Sequence, residues 1–334
     1  MSTYNTEPDS PTDLGGRSWL AVLRRSVREF RDDNVTDWAA ALTYYGVLAL
    51  FPGLLVAVSV LGLLGESAAR SLLDNVGQIA PGGVRSFLQT VIDNAQRQHG
   101  TAGIAAVVGG LLALWSASGY IGAFMRAANA IYGVGEGRPV WKTAPIRLAV
   151  TVAVLLMLLI SAAIVLFTGR VADQLGKAMG IGHTAVTVWD IAKWPVLLVL
   201  VSLMLALLYW ACPNVRQPGF RWVSPGGLLA VVIWLVASGG FAVYVANFAS
   251  YDKTYGSVAG VIIFLVWLWI TNIAVLLGAE FDAELDRQRA VAAGAEEDAP
   301  FAVPRDTTKL DDDDTRRAGA LARRRSRARS IRGR

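Results

Sequence analysis

Charge is scarce in this chain. Only 17% of its 334 residues are Asp, Glu, Lys or Arg, and 54% are hydrophobic. A soluble domain carries about a quarter charged residues. Cysteine is nearly absent: Cys212 stands alone, which excludes an intrachain disulfide and a cysteine metal cluster. The two histidines, His99 and His183, are too few for a histidine-rich metal site. No Gly-Lys-Ser/Thr phosphate loop occurs. The run Gly133-Val134-Gly135-Glu136-Gly137 follows no strand pattern, so it is no dinucleotide fingerprint. A soluble enzyme, a secreted disulfide scaffold and a disordered chain all fit poorly. No cofactor is implied.

What the chain does contain is long apolar runs. A helix crossing a bilayer needs about 20 apolar residues at about 1.5 Å rise each. Runs of this kind lie at about 40–64, 102–124, 148–169, 194–212, 225–248 and 257–279, none with a charged residue near its middle. The expected fold is all-α: a polytopic membrane protein with six transmembrane helices in a domain over 38–284, with short amphipathic surface helices. Basic residues mark the side that stays inside. Arg24, Arg25, Arg28 and Arg31 flank the first run, and Arg126, Arg138, Lys142 and Arg147 lie between the second and third. Arg216, Arg221, Arg287 and Arg289 fall on the same side. The opposite loops hold fewer: Arg70, Arg85, Arg97, Arg170, Lys177, Lys193 and Lys253. Both termini are therefore expected in the cytoplasm, and the protein in the plasma membrane.

The flanks read differently. Residues 1–17 are polar, lack a signal-peptide pattern and are expected to be disordered. Residues 18–37 place Trp19, Leu23, Val27 and Phe30 at helical spacing with arginines between them. That pattern suits an amphipathic helix, either in the membrane interface or packed under the bundle. The loop 65–101 predicts two short helices around Pro81-Gly82-Gly83. From 285 to 334 the chain reads as a disordered, charged tail, acidic at Asp311–Asp314 and basic from Arg323 to Arg334. Such a tail can touch anionic lipid head groups, or nucleic acid without specificity. No specific nucleic-acid partner is expected, and the oligomeric state is not legible. The lipid bilayer is the one certain partner.

Some residues inside the runs need a reason. Pro52 removes a backbone donor in the first run, predicting a kink. Tyr44 and Tyr45 are adjacent, so one ring is expected to face into the bundle. Arg126 and Asn129 lie three apart on one face and, with Tyr132, are candidates to line a polar pocket. Tyr251 and Tyr255 crowd the turn between the last two runs and are candidates for an outer gate. Asn272, deep in the sixth run, should seek a partner on another helix. Glu280, at its end, is expected to pair with Arg126 or Arg147, or to mark a functional site. Packing, interfacial belts and snorkelling are the alternative roles for each of these.

One resemblance is carried by several motifs in order: Asp37-Trp38-Ala39-Ala40-Ala41-Leu42-Thr43-Tyr44-Tyr45 with Phe51-Pro52, Ala128-Asn129-Ala130-Ile131-Tyr132, and Pro213 with Pro225-Gly226. Tyr251, Tyr255-Gly256-Ser257, Gly260, Trp267-Leu268-Trp269 and Gly278-Ala279-Glu280 complete it. Over about residues 25–285 the chain resembles the YihY/BrkB family of bacterial inner-membrane proteins. That resemblance implies six spans with both ends inside. Family members have been described as ribonuclease BN, as serum-resistance factors and as transporters. A metal-dependent nuclease needs clustered His and Asp ligands, and both histidines fall in expected outer loops, so ribonuclease activity is rejected. With no nucleophile and base in view, no enzyme is expected. The expected function is passage of a small or lipid-like solute, with a non-transporting envelope scaffold as the alternative.

Overall fold

The computed structural model describes residues 16–64, 102–166, 183–217, 224–247, 257–292, 296 and 300–310, with side chains for all but 16–20, 51–64, 102–107, 166, 183–187, 190, 246–247 and 257–259. The described chain forms helices α1 Gly16–Asp32, α2 Val35–Leu64, α3 Ala102–Ile131, α4 Val140–Leu166, α5 His183–Ala211, α6 Pro225–Asn247 and α7 Ser257–Ala292. Among the described residues the sole extended pairing is one bridge, Val215 with Pro304. Among the described residues, five stretches are long and apolar enough to cross a membrane: Val108–Ile131, Val140–Val165, Ile191–Ala211, Pro225–Val245 and Gly260–Ala292. The fold is that of an all-α polytopic membrane protein. α2, the remaining expected span, is 30 residues long with side chains described as far as Leu50.

Local chemistry sets the boundaries. The amphipathic helix expected over 18–37 stops at Asp32, because Asn34 takes a left-handed conformation with φ 52°. Its short polar side chain tolerates that region. The Asn34 carbonyl then accepts the Asp37 and Trp38 amides, starting α2. α3 ends in a glycine cap: Gly133 has φ 63°, its amide reaches Ala130 O, and the Val134 amide reaches Asn129 O. Ser224 caps α6, its hydroxyl accepting the Gly227 amide, with Pro225 at the first helical position. α5 begins at His183 and carries Lys193 and Pro195 inside the helix. It thus starts earlier than the 194–212 run suggested, and Lys193 lies on a helix rather than in a loop.

The core gathers at one end, where α1 lies; we call it the α1 end. α2 packs chiefly on α3, and α6 chiefly on α7. Val35, Leu42, Phe124, Cys212 and Leu276 form its centre, and Val22, Phe281 and Leu285 form a smaller cluster under α1. Farther along, α4, α5 and α6 expose large apolar side chains such as Leu159, Val199 and Val236. Acyl chains are the solvent such surfaces need.

The tightest approach is between α6 and α7. A Cβ on Gly226 would strike the Gly278 carbonyl and the Asp282 carboxylate. Asp282 Oδ1 accepts the Gly226 amide at 2.7 Å, so the crossing also caps a helix. We expect Gly226→Ala or Gly278→Ala to lower stability by about 1–3 kcal/mol, read from denaturant titration in detergent. Gly239→Ala is the control. A Cβ there meets nothing within 4 Å, so that substitution should be neutral or stabilising by up to about 1 kcal/mol through helix propensity.

Candidate functional site

Two layers of polar side chains stand out. The first lies inside the bundle. Tyr120 OH donates to Asn272 Oδ1 at 2.9 Å, and Asn272 Nδ2 donates to Thr43 Oγ1 at 3.1 Å. Thr43 in turn donates to Ala39 O. Asn272 thus joins α2, α3 and α7, the interhelical partnership expected of it. Around this hub Arg147 donates to Ser118 at 3.1 Å, Trp234 to Thr271 at 3.2 Å and Tyr209 OH to Val275 O at 2.5 Å. Each bond ties two helices together.

The second layer lies at the α1 end. A cavity of about 50 Å³ is lined by Tyr132, Tyr209, Trp210, Asp282, Asp286 and Arg289, among others. Its wall pair, Arg289 with Asp286, closes at 2.9 Å. Beside it the chain from 300 to 310 returns to the bundle as a strap. The Arg216 amide donates to Val303 O, and the Arg305 amide to Asn214 O, both at 2.9 Å. Asn214, fully buried, holds Asp306 through both backbone groups and holds Gly135 O. Phe301 packs on Tyr132 with centroids 6.1 Å apart and lies under the Arg287 guanidinium. Gly135 and Gly137 make room: a Cβ on Gly137 would overlap the Asp306 carbonyl. The glycine-rich loop is therefore a cradle for the chain's own strap.

Charge in this layer is tightly partnered. Arg138 is 2% exposed and grips both Glu136 oxygens at 2.7 Å while donating to Cys212 O. Partial burial pushes the Glu136 carboxyl up, but Arg138 and Asn129 outweigh it and hold the group below the usual carboxylate range. Hydrogen bonds from Lys142 and Thr308 hold the Asp306 carboxyl well below it too. Burial pushes the Cys212 thiol up to about 12, so it stays protonated at neutral pH.

The expected site residues separate. Tyr44 is exposed, while Tyr45 turns inward, edge-on to Tyr44 at 5.4 Å and under Arg126 at 5.9 Å. Arg126 itself is exposed on that side. Asn129 goes elsewhere, accepting the Asn214 amide at 2.7 Å and donating to Glu136 at 3.0 Å. Of the expected trio only Tyr132 lines the cavity. Pro52's side chain, Tyr251 and Tyr255, the loop 65–101 and the tail beyond 310 lie outside the described residues. Glu280 pairs with neither Arg126 nor Arg147. It is 1% exposed, Oε2 has no hydrogen-bond partner, and its strongest electrostatic neighbours are Asp33, Glu284, Glu29 and Arg287. α1 lies over it, which helical periodicity on α7 does not reveal. The chain does not leave the fold at 285 either: α7 runs to Ala292, and the strap follows.

The family model described as virulence factor BrkB matches residues 26–302. The chain belongs to the BrkB family. A relative named as ribonuclease-like, YfkH of Bacillus subtilis, is 28% identical over 75% of this chain and 90% of its own length. A UPF0761 membrane protein of Alkalilimnicola ehrlichii is 32% identical over 84% of this chain, and one from Rhodospirillum centenum is 30% identical over 81%. The match covers 64% and 59% of those two relatives. No solved structure matches. The BrkB match ends at 302, so most of the strap that Asn214 and Gly137 hold lies past it.

Glu280→Gln keeps the volume and takes one acid out of the cluster it forms with Asp33, Glu284 and Glu29, so stability in denaturant titration should not fall. Glu284→Gln should lower it, because Glu284 meets Arg25 at 3.6 Å and Arg287 at 3.0 Å. Glu136 and Asp306 have lowered folded values, so their stabilisation is complete above the usual carboxylate pKa of about 4 and fades as pH falls through the folded values. Pepsin should therefore leave 300–310 intact near pH 5 and cut it only in stronger acid. Lys142→Ala should move that onset to higher pH.

Proposed function

We propose that the chain is a six-span plasma-membrane permease of the BrkB family, with both termini cytoplasmic, held here in a closed conformation. The cavity at the α1 end supports this reading. It combines aromatic walls from Tyr132, Tyr209 and Trp210 with charge from Asp282, Asp286 and Arg289, the mixture a polar but amphipathic solute needs. Asn272 lies ten residues along α7 from Asp282, about 15 Å deeper at 1.5 Å per residue. The Thr43–Asn272–Tyr120 hub would then be the constriction. The substrate class is a small or lipid-like solute. Hydrolysis is no part of the proposal; the lone thiol, Cys212, is buried and protonated.

A scaffold role is the second reading. It is favoured by the interhelical pairing of the interior polar groups, from Asn272 to Arg147. Liposomes separate the two. Purified protein should speed lipid scrambling or solute flux over empty vesicles. Asp286→Asn with Arg289→Gln should cut that rate at least ten-fold, about 1.4 kcal/mol of barrier or more, and Asn272→Ala should raise it. Native protein no faster than empty vesicles would transfer the weight to the scaffold.

A further inference from the structure

α1 presents three different sectors. Val22, Ser26 and Glu29 are buried against the bundle. Arg25 turns the same way and meets Glu284. Arg24, Arg28 and Arg31, spaced four and three apart, form one exposed stripe. Among the described residues none of these three makes an ion pair. Leu23 and Val27 form the adjoining stripe, 46% and 57% exposed. Asp32 is the exposed carboxylate at the helix end.

A single exposed leucine carries no message. Two apolar side chains beside three unpaired guanidiniums do, on a helix that ends two residues before a spanning helix begins. That face has the layout of a helix in a membrane interface, with the apolar stripe between acyl chains and arginines at phosphate level. Guanidinium forks match phosphodiester oxygens in pairs. A zwitterionic lipid brings its own cation to compete for the phosphate, and an anionic one does not.

We propose that the outward face of α1 is a binding site for anionic phospholipid, with Arg24, Arg28 and Arg31 on the phosphodiester groups and Leu23 and Val27 between the chains. The site is independent of whether the bundle passes a solute. It differs from the contact expected of the basic tail, because it is built on a helix whose other face is locked to α7.

Native mass spectrometry of the full-length protein tests it, titrating phosphatidylglycerol against phosphatidylcholine and reading the ratio of dissociation constants. Each Arg→Gln change among the three should reduce the preference for phosphatidylglycerol about five-fold, and the triple change about a hundred-fold. Gln in place of the arginines from Arg323 to Arg334 should leave at least the α1 share of the preference intact. Leu23→Ser with Val27→Ser should weaken both lipids alike. All these positions are exposed or lie in the tail, so the fold should survive, checked by circular dichroism. The proposal is overturned if the triple variant keeps the full preference, if only the tail variant loses it, or if inorganic phosphate displaces phosphatidylglycerol at equal concentration.

Discussion

Inside a bilayer no water stands ready to replace a missing hydrogen bond, so every polar group must find its partner within the protein. This bundle is arranged around that constraint. Asn272 on its own would cost several kcal/mol. Placed between Tyr120 and Thr43, it instead joins three helices. Arg147 bridges α4 to α3 through Ser118, and Gly122 leaves the gap its side chain crosses. Tyr209 and Trp234 tie α5 and α6 to α7. Because lipid tails are as apolar as leucine, hydrophobic burial does not hold helices together here, and such bonds and close glycine contacts take its place.

The α1 end obeys a different balance. Charge is tolerated there when it is saturated, as Arg138 is by Glu136 and two backbone carbonyls. Asn214 spends its whole capacity in the same way, on the strap, the glycine loop and Asn129. Glu280 is less well served: its Oε2 has no hydrogen-bond partner, and among the described residues it makes no ion pair, whereas Glu284 beside it meets Arg25 and Arg287. Departures of this kind collect where a protein works. That makes the joint between α1 and α7 as informative as the cavity a few residues farther along.

Individual residues show what the order of amino acids makes readable. Asn272's need for an interhelical partner was legible, since one amide in an apolar run has nowhere else to turn. That one of Tyr44 and Tyr45 turns inward followed from the 100° step of a helix, but which one did not. Asn129 and Arg126 were misjudged together: a 60° offset on α3 is enough to send one to Tyr45 and the other to Asn214. Asn214 itself carried no local signal. Its role depends on Asp306, 92 positions away, and no periodicity reports a contact of that range. The strap was hidden for the same reason: Ala-rich, charged sequence reads as a tail unless a cradle is known to await it.

The sequence alone settles the class of this protein. Long charge-free runs can satisfy their backbone only as helices in lipid, so an all-α polytopic membrane fold follows from composition and 1.5 Å per residue. Tertiary structure decided the rest: which face of each helix meets which neighbour, that α1 covers Glu280, that the glycine loop grips 305–310, and that Tyr132 rather than Asn129 borders the cavity. Those outcomes depend on interactions between residues far apart in the chain. Their energies exist only once the helices are side by side.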